Sequence, residues 1–196
     1  DPSACTRTIS DLLAVVSYSG TEGDSDGVTR KSPTEVVQAI LSAGGIPIPA
    51  HADLAKGLLA VRSGTRECAA DANTVVQVLN TVGLLAMEWV NLTNPLPACA
   101  EQLGGKLTRV LGSDCHSFQG GATPGSRFTW VKMAQPTLDG LRLALLDGND
   151  VSVRRSDQTT FDPFCVPSNC ITAVEVRSAR FMGNGRAERL EFTPYY

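Results

Sequence analysis

Histidine is scarce in this chain. There are two, His51 and His116, so any chemistry that needs imidazole must use one or both. Other absences narrow the field. No apolar run approaches the roughly 20 residues of a membrane helix, which excludes a helical membrane span. Basic residues are not in excess: the formal charge is -3, so there is no broad electrostatic footprint for nucleic acid, although a local basic patch is compatible with it. The six cysteines form no Cys-x-x-Cys pair, which argues against a zinc ribbon or a thioredoxin-type site. Gly-x-Ser-x-Gly is missing, so nothing points to a serine hydrolase. A Walker A loop, G-x-x-x-x-G-K-S/T, is missing too. Asp24-Ser25-Asp26-Gly27 resembles part of a calcium loop, but Pro33 stands where the loop needs its glutamate, which rejects an EF-hand. Asp1-Pro2-Ser3 starts no secretory leader. The expectation is therefore a cytoplasmic protein with free thiols. Cys165 and Cys170 flank a Pro-containing loop and could be bridged.

What is present suits one soluble domain, or one domain plus part of another: 196 residues, 42% hydrophobic and 19% charged. Thr8 to Val16 predicts a short helix. Ser32-Pro33-Thr34-Glu35 is a helix start, with Ser32 as cap, Pro33 in the first turn and Glu35 closing a capping box. Val36, Val37, Ile40 and Leu41 then share a face, and Gly44-Gly45 ends the helix. Ile46 to Ala50 reads as a strand, against which Pro47 and Pro49 count because proline cannot donate to a ladder. The rhythm repeats. Ala72 to Leu79 is a helix capped by Asp71, and Leu84 to Val90 is a strand. Pro97 to Leu103 is a short helix, followed by strands Leu107 to Leu111 and Phe128 to Met133, and Thr137 to Leu146 is a further helix. Strands alternating with helices predict an α/β fold with a parallel sheet, in which functional side chains gather at the carboxyl ends of strands. After Gly148 the rhythm breaks. Val174 to Met182 and Arg186 to Thr193 read as a β-hairpin turned by Gly183-Asn184-Gly185. The predicted division is 1–150 for the α/β part and 151–196 for a loop and hairpin extension.

The candidate site follows from where the histidines fall. Each comes just after an apolar strand-like run, and each has an aspartate two residues away: Asp53 after His51, Asp114 before His116. On extended backbone, Asp114 and His116 would face one pocket and Cys115 would face away. A carboxylate beside an imidazole is half of a metal site or a general acid/base pair. Arg127, after a Gly-Ser turn, could grip a phosphate, with Lys132 a weaker candidate. Glu88 reads as a strand-end hydrogen-bond acceptor, and Trp89 and Trp130 as core.

Several segments resemble a family. Ile46-Pro47-Ile48-Pro49-Ala50-His51 resembles the "AHP" segment of PHP-domain phosphoesterases, and Gly112-Ser113-Asp114-Cys115-His116 their final "GSDxH" metal motif. Ala86-Met87-Glu88-Trp89 is similar to their "G-I-E-V" strand. The runs Pro124 to Met133 and Leu138 to Gly148 resemble the TrlF-like proteins, in which a PHP domain precedes an AAA-like ATPase. Arg189-Leu190-Glu191-Phe192-Thr193-Pro194 is similar to the strand leading to their Walker A loop. The resemblance implies a partial, distorted (β/α)7 barrel with a C-terminal β-hairpin, of which about four or five strands are present. It implies a metal-dependent phosphoesterase acting on a phosphomonoester or phosphodiester, nucleic acid among the candidates. His51, Asp114 and His116 would hold divalent ions (Mn, Zn or Fe), Asp114 and His116 would be catalytic, and Arg127 and Lys132 would bind substrate. The family's H-x-H motif has no counterpart, since His51 is the first histidine. The chain thus resembles the C-terminal part of such a domain, cut before the ATPase, with weak or incomplete metal binding and little turnover. An open sheet edge would be covered by the hairpin, by a second copy in a homodimer, or by the missing segment. The competing reading is a non-catalytic scaffold or regulatory module of an attached ATPase.

Overall fold

The computed structural model describes residues 2–21, 24, 27–149, 151–159, 173–176 and 188–191. It divides into two compact units, 1–158 and 159–196. Three expectations fall wholly or partly outside the described residues: the Ser25-Asp26 part of the rejected calcium loop, the Cys165–Cys170 pair, and the hairpin turn at Gly183-Asn184-Gly185.

The first unit contains α1 (Pro2–Val15), α2 (Pro33–Ser42), α3 (Ala72–Leu79), β1 (Ala86–Glu88), a 3-10 turn (Ala98–Ala100), α4 (Glu101–Gly104), β2 (Thr108–Val110), β3 (Thr129–Val131), α5 (Leu138–Asp147) and β4 (Val153–Arg155). The helix starts are where local chemistry puts them. Ser32 accepts from the Glu35 N–H, and the Glu35 carboxylate reaches back to the Ser32 N–H at 2.8 Å, a complete capping box. The Asp71 carboxylate accepts from the Thr74 N–H at 2.8 Å. On α3 the buried residues Val75, Val78 and Leu79 follow helical spacing and turn one stripe inward.

β1 and β2 pair in parallel, with Ala86 opposite Thr108 and Glu88 opposite Val110. β3 and β4 pair antiparallel, Thr129 opposite Arg155. Thr129 also joins β3 to the end of β2. Its hydroxyl accepts from the Leu111 N–H at 2.7 Å and donates to the Leu111 carbonyl at 2.9 Å. Residues 46–50 form no regular strand, because Pro47 and Pro49 supply no donors. They still run beside β1. The Glu88 N–H donates to the Pro49 carbonyl, and the Ala52 N–H donates to the Glu88 carbonyl, both at 2.9 Å. A regular parallel ladder would place residues 49 and 51 there, so this edge carries one extra residue, a bulge at His51.

Alternation along β1 sends neighbouring residues to opposite faces. Met87 joins a core with Val37, Leu59, Val75, Val78 and Trp89, on the side of α2 and α3. Ala86 joins Leu145 of α5 and Val153 of β4. Helices thus cover both faces of the short parallel pair, which is the layering of an α/β fold. The sheets are small, two strands each, and no closed barrel forms among the described residues. β4, which lies in the predicted extension, pairs with β3 inside the first unit. In the second unit, β5 (Ala173–Val176) pairs antiparallel with β6 (Glu188–Glu191), with Ala173 opposite Glu191.

The expectation of free thiols is corrected at one place. Cys68 and Cys99 are joined by a disulfide across 31 residues, while Cys5 and Cys115 are free. The segments carrying the two cysteines are held together by other bonds as well. The Ala98 N–H donates to the Arg66 carbonyl, and the Arg66 guanidinium donates to the Leu96 carbonyl, both at 2.8 Å. None of the helices among the described residues is long and apolar enough to cross a membrane.

Candidate functional site

Three chain segments end side by side: residues 46–50 at His51, β1 at Glu88, and β2 at Leu111 to Asp114. Their ordering comes from main-chain pairing, and their convergence depends on Glu88. Its side chain is 14% exposed. One oxygen, Oε2, accepts from the His51 N–H at 2.9 Å, and Oε1 accepts from the Gly112 N–H at 3.3 Å. A single carboxylate therefore braces both loops that carry the predicted ligands. Gly112 makes this approach possible, since a Cβ there would meet Glu88 Oε1 at 3.3 Å. Gly57 plays a similar part behind His51. A side chain at position 57 would collide with the carbonyls of His51 and Ala52.

His51 and Asp114 both adopt left-handed backbone, with φ of 45° and 50°; Ser17 is the third such non-glycine residue among those described. That conformation costs an L-residue about 1–2 kcal/mol, and such residues concentrate at functional sites. His51 Nε2 lies 3.6 Å from Asp114 Oδ1. His116 Nδ1 lies 3.7 Å from the same oxygen and 2.9 Å from the Asp114 carbonyl. Asp114 and His116 do approach each other, but neither lines the neighbouring cleft that they were expected to share. They meet across a turn, however, because the left-handed Asp114 removes the extended alternation from which that expectation came. His116 is 81% exposed. Cys115 is exposed, with its thiol on the Ser117 carbonyl at 3.2 Å.

The other expected pairing, His51 with Asp53, does not form part of this cluster. The Asp53 carboxylate is buried and accepts from the Val90 N–H at 2.6 Å, the Asn91 N–H at 2.8 Å and the Asn94 amide at 2.9 Å. It holds the chain leaving β1. Residues 50–53 form a turn, so the extended alternation that would pair His51 with Asp53 does not apply there. Arg155 clamps the same exit from another side. It is 1% exposed, donates to the Trp89 carbonyl, and forms a two-pronged pair with Asp157 at 2.8 and 2.7 Å. Those bonds hold the Asp157 carboxyl below its usual range. The Arg109 guanidinium stacks over the Trp89 ring, 4.5 Å from its centroid. Burial first, and then the nearby Arg155 charge, lower the Arg109 pKa, with Asp53 opposing.

Neither a family model, nor a curated protein, nor a solved structure matches this chain. The site must be read from its own geometry.

Arg127 is half-buried beside Ser113, donating to its carbonyl at 3.3 Å. With Glu88, Ser113 and Thr129 it lines a cleft of about 530 Å³ that runs toward α5. Lys132 is exposed just past β3 and is not among the lining residues. The donor chemistry suits a divalent ion: neutral imidazole and carboxylate are zinc and manganese ligands. His51 Nδ1 is buried without a properly aimed hydrogen bond. It sits 2.9 Å from Glu88 Oε2, but that oxygen accepts the His51 backbone N–H. The number of donors is another matter. Among the described residues, no three of His, Cys, Asp and Glu are arranged to hold one ion.

Sequence reasoning identified Glu88 as an acceptor but missed its bracing role, and it missed Arg155 altogether. An acidic residue in the otherwise apolar run Leu84 to Val90 was the available signal for Glu88. Arg155, one of two adjacent arginines, carried none.

Proposed function

We propose that the chain supplies part of the metal site of a metal-dependent phosphoesterase of the PHP kind, nearest to the TrlF-like proteins with their attached ATPase. On this reading the small parallel sheet belongs to a distorted barrel completed by residues outside these 196. The substrate is a phosphomonoester or phosphodiester, nucleic acid among the candidates. The observation that carries the proposal is the convergence of His51 and Asp114, 3.6 Å apart, both in left-handed backbone beside the ends of parallel segments. Two ligands of one tetrahedral ion, with bonds of about 2.1 Å, stand roughly 3.4 Å apart. His51, Asp114 and His116 would hold the metal. A bound ion would acidify a water molecule and polarise a phosphoryl oxygen. Arg127, at the mouth of the neighbouring cleft, would hold substrate oxygens by its planar fork.

A second reading has one observation in its favour. Since no three donors are arranged around one point among the described residues, the module could be a non-catalytic scaffold for the ATPase.

Metal binding separates the two. In calorimetric titration with Mn²⁺ or Zn²⁺, the wild-type chain should bind weakly, and His51→Ala, Asp114→Asn and His116→Ala should each weaken binding by about tenfold or more. Phosphoester hydrolysis by the isolated chain should be slight. Equal binding by wild type and all three variants would remove the phosphoesterase reading and leave the scaffold.

A further inference from the structure

The cleft that Glu88 and Ser113 share with the candidate site is lined by both polar and apolar side chains. It is an open groove of about 530 Å³. Much of its wall is aliphatic: Ile48, Val110, Val131, Leu141 and Leu145. Phe128 adds an aromatic edge, held by a perpendicular contact with Trp130 at 5.0 Å between ring centres. Ile48 and Phe128 are each 38% exposed, so the cleft presents apolar surface to whatever enters it.

Several polar groups along the cleft already have partners. Glu88 accepts from the backbone N–H groups of His51 and Gly112. The Thr129 hydroxyl both donates to and accepts from Leu111. Arg127 differs. Its guanidinium carries five N–H donors, of which one meets the Ser113 carbonyl, at 3.3 Å. Its charge also reaches the Asp157 carboxylate and helps to lower that pKa. The remaining donors are available to an anion. Ser113 precedes Asp114 in the chain, and Glu88 touches His51, so an anion on Arg127 would lie at the edge of the His51–Asp114 pair.

We infer that this cleft selects phosphoesters with an apolar, aromatic or alkyl organic group. The organic group lies against Ile48, Phe128 and Leu141, and the phosphate sits on Arg127. This rests on the phosphoesterase reading above and narrows its substrate class. Hydroxyl-rich esters gain less, because Ile48, Phe128 and Leu141 offer their hydroxyls no hydrogen-bond partner where the organic group lies. An aryl group loses no hydrogen bonds on entering.

The test is a metal-free binding titration of the full chain, by calorimetry or amide NMR, with 1-naphthyl phosphate, glycerol phosphate and inorganic phosphate. Naphthyl phosphate should bind at least about tenfold more tightly than the other two. Phe128→Ala should erase most of that preference while sparing inorganic phosphate. Arg127→Gln should weaken all three ligands. Phe128 is partly exposed, so its truncation should leave the fold intact; Ile48→Ser, also at a partly exposed position, provides an independent check. No preference for the aryl ester, or a preference unaffected by both Phe128→Ala and Ile48→Ser, would overturn the inference. Because these titrations contain no metal, their failure leaves the metal-site reading standing. Conversely, the expected preference combined with metal binding insensitive to His51, Asp114 and His116 would keep the cleft and remove the phosphoesterase.

Discussion

Replacing Glu88 by alanine should loosen both loops of the candidate site at once. The wild-type carboxylate accepts from the His51 N–H at 2.9 Å and from the Gly112 N–H at 3.3 Å, and its side chain is 14% exposed. A hydrogen bond to a charged group contributes about 1.5–3 kcal/mol, and a donor left buried and unmet costs about 1–3 kcal/mol. The Gly112 bond is long and lies toward the weak end of that range. Together they put Glu88→Ala at about 2–4 kcal/mol, a large share of a typical domain's stability of roughly 5–15 kcal/mol. Glu88→Gln keeps the volume and one acceptor oxygen but turns an amide N–H toward one of the two donors, so it should cost about 1–2 kcal/mol. Urea unfolding gives the global change. Amide hydrogen exchange gives the local one, and protection at His51 and Gly112 should fall more than at Val75 or Val78 in the α3 core. A Glu88→Ala variant within about 0.5 kcal/mol of wild type, with His51 and Gly112 as protected as before, would refute the brace.

Two further outcomes follow from the same structure. Arg155 is buried, donates to the Trp89 carbonyl and pairs with Asp157. Arg155→Met keeps much of the volume but removes those bonds, and should destabilise by about 2–4 kcal/mol in urea unfolding; a loss below about 0.5 kcal/mol would mean that Arg155 is not holding β4 to the β1 exit. Backbone and side-chain hydrogen bonds from Ser32, with Lys31 adding to them, lower the Glu35 pKa from 4.5 to about 2. A carboxylate with a depressed folded pKa stabilises the fold fully above its unfolded value, and that contribution fades as pH falls through the folded value. Stability should therefore decline between about pH 4.5 and pH 2, and Glu35→Gln should flatten that decline; identical pH profiles for the two proteins would contradict it.

The elements that could be read from sequence are those whose determinants lie within a few residues of one another. Ser32 and Glu35 are three apart, as are Asp71 and Thr74, and α2 and α3 begin where these pairs put them. The strand expected at Ile46 to Ala50 does not form; Pro47 and Pro49, which counted against it, leave the segment without ladder donors. The presence of β1, β2 and β3 followed from short apolar runs, although each is three residues long, shorter than the run that announced it.

The site was only half legible. Its histidines stand out by scarcity and Arg127 by its turn, but their relations depend on contacts between distant segments. Glu88 reaches 37 residues back to His51 and 24 forward to Gly112. Cys68 finds Cys99 across 31 residues, and Arg155 reaches 66 back to Trp89. Side-chain direction was inferred from alternation, a rule for extended backbone, and it failed for Asp53 because residues 50–53 form a turn. By itself the sequence determined the caps, the apolar faces and the residue types available for chemistry. The tertiary structure alone decided which carboxylate meets which histidine, because Glu88 ties the His51 main chain to the Gly112 main chain, two residues before Asp114, across segments far apart in sequence.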